Sequence, residues 1–446
     1  MIGKKWLALA AFILIPSWLW AADPLFEPRM DYAAGSRSYV FGADLDSDGD
    51  VDLAVGGWGP LTVLKNNGDG SFSAPDSFGF GGLSGNIFGA DLDGDSDIDV
   101  ATTSFSSDKV YISFNNGDGS FQAQVSYSLQ PTGDYPFSVF GGDLDGDGDL
   151  DLATANRFSQ NISVLKNIGD GTFQPPNSYP GGNYNANHSI FGADLDGDAD
   201  IDLVVGSRYE PGVYIFKNNG DGSYQPAVGY APGGGGQISI FALDLDTDGD
   251  RDLATANYWA NEVSVLMNNG DGTFLTAVDY PTDSGPQSVF GADLDLDGDQ
   301  DLAAANSYGN NISILLNNGD GSFQAAVNYS VGSHPLSVFA ADLDQDGDLD
   351  LAVANSGSDS VSIFTNLSII VCTSKPGDAN GSGVPDLTDV IYLVNYIFKG
   401  SIAPYPLCRG DANGSGAYPN LSDLIYLINY VFKSGPVPVP SGRCCL

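Results

Sequence analysis

Phe41-Gly42-Ala43-Asp44-Leu45-Asp46-Ser47-Asp48-Gly49-Asp50-Val51-Asp52-Leu53-Ala54 sets five aspartates at every second position between two apolar runs. The pattern returns six more times in the 446 residues. The first copy carries Asp44, Asp46, Asp48, Asp50 and Asp52, the second Asp91, Asp93, Asp95, Asp97 and Asp99, and the third Asp143, Asp145, Asp147, Asp149 and Asp151. The fourth carries Asp194, Asp196, Asp198, Asp200 and Asp202, and the fifth Asp244, Asp246, Asp248, Asp250 and Asp252. The sixth has Asp293, Asp295, Asp297, Asp299 and Asp301, and the seventh Asp342, Asp344, Asp346, Asp348 and Asp350. Successive copies start 47, 52, 51, 50, 49 and 49 residues apart. Self-similarity at a near-constant period of this length marks a repeat architecture.

The third unit, Ser138 to Tyr179, predicts what each repeat folds into. Ser138 to Leu144 reads as one strand, ending in the acidic loop; Leu152 to Asn156 and Ile162 to Lys166 read as the next two. The turn Ile168-Gly169-Asp170-Gly171 then leads to a fourth strand from Thr172. Asn-Gly and Asp-Gly steps tolerate the positive φ that tight hairpins need. Four short antiparallel strands in about 50 residues make a propeller blade.

A solenoid would need polar capping repeats at its ends. Here the ends complete each other. The Gly-Asp-Gly hairpin recurs at Asn67, Asn116, Gly169, Asn219, Asn269 and Asn318 but is missing after the seventh acidic loop. Pro24 to Tyr32, ahead of the first loop, matches Gly321 to Tyr329. The N-terminal segment is therefore expected to supply the outer strand of the last blade and close a ring. The expected fold class is all-β, a seven-bladed β-propeller, with a small α-helical module at the C-terminus.

The formal net charge is -41, yet 42% of residues are hydrophobic, which excludes a disordered polyelectrolyte. Only three acidic residues are Glu (Glu27, Glu210 and Glu262); the rest are Asp, concentrated in the loops. Such a surface repels nucleic acid and anionic lipid and calls for cations. Residues 1–21 read as a secretory signal: Lys4 and Lys5, an apolar stretch from Trp6 to Trp20, then Ala21 and Ala22. No later segment is long and apolar enough to span a bilayer. Export to a calcium-rich, oxidising space fits four cysteines confined to the C-terminal module, Cys372, Cys408, Cys444 and Cys445, which allow three pairings. The expected location is extracellular or at the cell surface.

Five carboxylates in nine residues repel one another unless a cation sits among them. Calcium takes six to eight oxygens at about 2.3–2.6 Å, which alternate carboxylates on a tight loop can supply. By analogy with the EF-hand loop, positions 1, 3 and 5 are assigned as side-chain ligands, position 7 through its carbonyl and position 9 as the closing carboxylate. Up to seven calcium ions are expected. Gly49, Gly148, Gly249, Gly298 and Gly347 permit the sharp turn at position 6; Ser96 and Ala199 replace glycine there, so those loops are expected to be weaker.

The unit Phe-Gly-Ala-Asp-Leu-Asp-x-Asp-Gly-Asp-x-Asp-Leu-Ala resembles the FG-GAP or VCBS repeat, known from the integrin α-subunit propeller and from many secreted bacterial proteins. The resemblance covers residues 22–368. It implies calcium in hairpins on one face of a seven-bladed ring and ligand recognition on the other.

Residues 372–446 carry two further segments, Gly377 to Gly383 followed by Leu387 to Lys399, and Gly410 to Gly416 followed by Leu421 to Lys433. Each is an acidic loop leading into apolar residues at helical spacing. The pair resembles a type I dockerin. The resemblance implies up to two calcium ions, one held by Asp378, Asn380, Ser382, the Val384 carbonyl, Asp386 and Asp389, the other by Asp411, Asn413, Ser415, Asn420 and Asp423. It implies a cohesin-like scaffold domain as partner, met by Leu387, Thr388, Leu421 and Ser422.

Between the second and third strands of six blades an aromatic recurs: Trp58, Phe105, Phe158, Tyr209, Tyr258 with Trp259, and Tyr308. Topology puts these loops opposite the acidic ones. Exposed rings suit sugar faces, so the favoured reading is a non-catalytic module that binds carbohydrate or an extracellular protein. The alternative is a polysaccharide-active hydrolase or lyase. Glycoside hydrolysis needs two opposed carboxyl groups. After the acidic loops are set aside, the candidates are Asp108, Asp134, Glu210, Glu262, Asp283 and Asp359, in different blades.

Overall fold

The computed structural model describes residues 25–35, 39–57, 59–79, 85–181, 187–208 and 212–366. The segment read as a secretory signal, Trp58, Tyr209, the candidate carboxylate Glu210 and the whole C-terminal module, with its proposed ligands and partner contacts, lie outside the described residues.

The described chain forms seven four-stranded antiparallel sheets, one per repeat. In the third blade the innermost strand is Pro136–Gly142, followed outward by Asp151–Asn156, Asn161–Leu165 and Asn177–Pro180. The fourth strand thus begins five residues later than the hairpin rule places it. Phe173 makes only a single bridge, to Asn167, and the strand starts once the chain has cleared Pro175 and Pro176. The same four-residue step recurs where no proline intervenes, from Phe121 to Val125 and from Phe323 to Val327, so the delay belongs to the hairpin and not to the prolines.

The ring closes as expected. Met30–Ala33 pairs with Ser360–Phe364 as the outer strand of the seventh sheet. Phe26 bridges Asn366 just as Phe72 bridges Asn66 and Phe121 bridges Asn115. Phe26 therefore stands in for the hairpin aromatic that the seventh repeat lacks. It packs edge-on against Tyr329 of the sixth blade at 5.3 Å, matching Tyr32 on Phe72 at 5.4 Å.

The core consists of layers between adjacent blades. Leu144, Val164, Leu203 and Phe216 fill the contact between blades three and four, for example, and Leu343, Leu53, Val55 and Ile363 that between seven and one. Around the axis the Phe-Gly step has a steric reason. A Cβ on Gly89 would lie 2.2 Å from Phe41, and one on Gly141 2.3 Å from Phe88, so in these blades the ring lies over the next blade's glycine; the fifth and seventh blades have Ala242 and Ala340 there. The result is a collar of seven phenylalanines, with centroids 4.6 Å apart for Phe241 and Phe290 and 5.9 Å for Phe88 and Phe140.

Candidate functional site: an acidic face and an axial mouth

The acidic loops join innermost to second strands, so all seven stand at one end of the ring. Position 1 organises each turn. Asp44 accepts from the N–H of Asp48 (3.1 Å) and of Gly49 (3.0 Å), and Asp143 accepts from Gly146 (2.8 Å) and Gly148 (3.1 Å). Position 5 accepts from the N–H of position 7, as Asp48 does from Asp50 at 3.0 Å. Ser96 and Ala199 keep this geometry, each donating to position 1 at 3.0 Å. They do so at φ 78° and 73°, a left-handed conformation that disfavours a residue with a Cβ. Ser47, Thr247, Leu296 and Gln345 adopt φ of 60–61° at position 4 of four other loops, so this strain does not set the second and fourth loops apart, and their turns are intact.

Position 9 has a second role that sequence reasoning does not find. Its carboxylate is buried and accepts two backbone N–H groups, from position 2 and from an asparagine after the third strand: Asp151 takes Leu144 at 3.1 Å and Asn167 at 2.7 Å. The same asparagine donates Nδ2 to the Leu92 carbonyl of the preceding blade (2.8 Å) and to the Leu150 carbonyl of its own loop (3.1 Å). Asn66, Asn115, Asn218, Asn268, Asn317 and Asn366 repeat the staple, reaching Leu343, Leu45, Leu144, Leu195, Leu245 and Leu294. The available signal was an asparagine at one fixed place in all seven repeats, including Thr365-Asn366 where the hairpin is lost.

Burial holds Asp99, Asp151, Asp202, Asp301 and Asp350 at about 7 and Asp52 and Asp252 at about 6, against the pull of those two backbone hydrogen bonds. In the seventh loop Asp348 rises to about 9, from burial first and then its hydrogen bond to Asp346 and repulsion by its neighbours.

Each loop also keeps one carboxylate oxygen buried with no hydrogen-bond partner: Oδ1 of Asp46, Asp93, Asp145, Asp196, Asp244, Asp293 and Asp348. An unmatched buried acceptor is costly and calls for a cation or a water. Carboxylate oxygens converge within 4.8 Å at positions 1, 3 and 5 of the first, fourth and fifth loops and at positions 1, 3 and 9 of the second and third. These oxygen-only sets fit a hard divalent cation. In three loops a lysine already neutralises position 3: Lys65 on Asp46, Lys166 on Asp145 and Lys217 on Asp196, each at 3.0 Å.

The opposite end differs. In blades three to seven the innermost strand carries a β-bulge at Phe137, His188, Ile238, Gln287 and Leu336. All five line an axial cavity of about 170 Å³. A serine follows each bulge in all five blades, whereas the bulge residue changes every time.

Among the aromatic candidates in the described residues, Phe158 (58%), Trp259 (56%) and Tyr308 (60%) are exposed. Phe105 is half-buried and stacks on Tyr135 at 4.5 Å. Tyr258 corrects the expectation of an exposed ring: it is 5% exposed and donates its hydroxyl to Tyr308 at 2.7 Å, supporting that ring from beneath. Ring contacts run on from Tyr135 to Phe158 (4.4 Å), from Phe105 to Phe137 (6.4 Å) and from Phe137 to His188 (3.9 Å). Of the remaining carboxylates, Asp108 and Asp134 meet in a shared hydrogen bond that, after burial and charge repulsion, helps hold Asp134 up. That is too close to flank a scissile bond and leave room for a sugar and water.

The six overlapping matches to the FG-GAP-like repeat run over 44–102, 91–154, 143–205, 194–255, 244–304 and 293–353. The chain belongs to the FG-GAP-like repeat family. No curated protein matches it. Among solved structures, this FG-GAP-like ring is similar to virginiamycin B lyase from Staphylococcus aureus, at 12% identity and a TM-score of 0.54, over 76% of this chain and 99% of that one. It is also similar to BBS1N, solved in complex with ARL6DN, at 11% identity and a TM-score of 0.54, over 77% and 97%. An Agrocybe aegerita lectin that recognises non-reducing terminal N-acetylglucosamine is 22% identical over 66% and 80%, but its TM-score of 0.47 is too low to carry an argument. At these identities the likeness is one of fold.

Proposed function

We propose that the protein is a secreted propeller, stabilised by calcium in its acidic loops, that acts as a non-catalytic binding module and is tied into an extracellular assembly by a dockerin-like C-terminal module. One observation carries the calcium reading: a buried carboxylate oxygen left without a partner in every one of the seven loops. Asp44, Asp46 and Asp48 and their equivalents would hold the ion, which supplies charge neutralisation within the turn. Position 9 serves first as the anchor of the asparagine staple. The binding reading rests on three exposed rings at the end opposite these loops, and Asp108 with Asp134 makes a poor catalytic pair. Carbohydrate is the favoured ligand class, because exposed rings offer flat apolar faces to sugars.

Calcium titration of the chelated full chain by calorimetry tests the first part, with several ions per chain expected; no heat and no uptake would refute it. A glycan array with the calcium-loaded chain tests the second, and pull-down by cohesin domains tests the third.

A further inference from the structure

Arg208 leaves the second strand of the fourth blade and lies at the axial mouth. Its Nη1 is 3.0 Å from His188 Nε2, and its guanidinium stands 5.4 Å from the centre of the Tyr258 ring. Burial and the guanidinium itself push His188 down to about 3, so the imidazole is neutral. Nε2 therefore accepts from Arg208, and the proton on Nδ1 faces the Ile238 carbonyl at 3.4 Å. Arg208 Nε is buried with no partner, and among the described residues no carboxylate lies within ion-pair distance of this side chain.

That is unusual in a chain of net charge -41. A partly buried guanidinium is ordinarily matched by an acid, since an unpaired desolvated charge is costly. Here it is held by a neutral imidazole and a ring face, which orient the fork without neutralising it. Two carboxylates of the next two blades are, among the described residues, engaged elsewhere: Glu262 accepts from Gly234 N–H at 2.8 Å, and Asp283 from Asn311 Nδ2 at 2.6 Å.

Beside the guanidinium is a platform. Trp259 donates Nε1 to the Arg208 carbonyl at 3.2 Å, which fixes the indole by its edge while leaving the ring 56% exposed. Tyr308, 60% exposed, is held one blade further on by the Tyr258 hydroxyl.

We propose that the axial mouth is a binding site for an acidic glycan, whose sugar ring stacks on Trp259 and Tyr308 while its anionic group pairs with Arg208. This rests on the binding-module reading above and names its ligand class. Planar, bidentate pairing with a carboxylate or sulfate is what guanidinium geometry serves best. The cavity of about 170 Å³ is close to the size of one that takes a single benzene ring, so an oligosaccharide stays at the mouth and inserts at most one group. The acidic loops stand at the far end of the blades, and a Debye length of about 8 Å at physiological salt screens them from this end.

The test is calorimetric titration of the calcium-loaded full chain at 0.15 M salt, about the physiological ionic strength, with four probes. These are an oligogalacturonate, a sulfated oligosaccharide without carboxylates, neutral cellotetraose and a hexaglutamate peptide. Either anionic glycan is expected to bind, the carboxylate and sulfate arms telling the two sources apart, and the neutral glycan and the peptide are expected not to. Arg208→Ala should weaken binding roughly 10- to 100-fold, Arg208→Lys should recover only part of it, and Trp259→Ala should cost about tenfold. Melting curves check that each variant is folded; should Arg208→Ala not fold, the lysine and tryptophan variants decide. Cellotetraose bound as well as the anionic glycans, with Arg208 variants silent, would overturn the acidic-glycan inference and leave the binding-module reading standing. Binding of hexaglutamate alone would overturn it in favour of an acidic protein ligand. No binding by any probe would overturn the inference, and a blank glycan array beside it would remove the carbohydrate reading too.

Discussion

The two ends of this ring are built from the same seven repeats and have opposite characters. At the acidic end every blade repeats one arrangement: a turn tied down by position 1, a buried Asp at position 9, and an Asn that staples the blade to its predecessor. At the other end the bulge residue runs Phe137, His188, Ile238, Gln287, Leu336, and the rings are spread unevenly over the loops. Seating five carboxylates in a tight turn and clamping adjacent blades is the same problem seven times, so the same residues solve it. Recognising a ligand of low symmetry is not. Within one chain, repetition marks the scaffold, and divergence marks the surface to which the proposed binding role is assigned.

The largest test of that contrast is removal of calcium. Each ion held at 100 times its dissociation constant adds about 2.7 kcal/mol by mass action, so chelation should lower the melting temperature far more than any substitution at the axial mouth. Calorimetric scans with and without chelator at constant ionic strength measure this; coincident melts would sink the metal scaffold.

Next comes the pH response of the chelated chain. Its seven position-9 aspartates have folded pKa values raised by burial to about 6 or 7, above their unfolded value. The folded state therefore binds their protons more tightly. Their contribution is complete below the unfolded pKa of 3.8 and is lost as pH rises through about 6 to 7. Chelated protein should melt higher at pH 5 than at pH 8, and calcium should remove or reverse that order. A chelated melt that rises steadily with pH would contradict the buried carboxylates.

Asn167→Ala removes one buried donor contact to the preceding blade and one to its own loop and should cost about 2–4 kcal/mol in denaturant unfolding. Ser96→Gly and Ala199→Gly relieve left-handed strain of about 1–2 kcal/mol per residue and should each raise stability by up to that amount. Gly148→Ala in a neighbouring loop should lower it. The smallest effect belongs to the other end: Phe158→Ala should leave stability within about 0.5 kcal/mol, since that ring is largely exposed. A loss comparable to that of Asn167→Ala would mean the rings belong to the scaffold after all.

Much of this architecture was legible because repeats amplify weak local signals. The acidic period gave the blade count, and the match of residues 24–32 to residues 321–329 anticipated that Met30–Ala33 would complete the last sheet. Strand limits were less legible. Nothing local says that Phe173 makes one bridge and that pairing resumes at Asn177. The staple asparagines are visible as letters, but their partner is a carbonyl more than 70 residues away, and no periodicity points to a backbone atom. Tyr258 and Trp259 are neighbours of similar chemistry; which of them is buried depends on Tyr308 and Arg208, brought in from adjacent blades.

The sequence by itself determined the seven repeats, the closing of the ring by its N-terminal strand and the acidic loops at one end, because these follow from spacing and alternation along the chain. The tertiary structure alone decided which carboxylate oxygens lack partners, which aspartate holds the asparagine that staples a neighbouring blade, and that, among the described residues, Arg208 stands beside a neutral His188 with no acid within ion-pair distance. Those depend on contacts between strands of one blade 16 to 20 residues apart and between adjacent blades 50 to 75 residues apart, and such juxtapositions exist only once the sheets and the ring have formed.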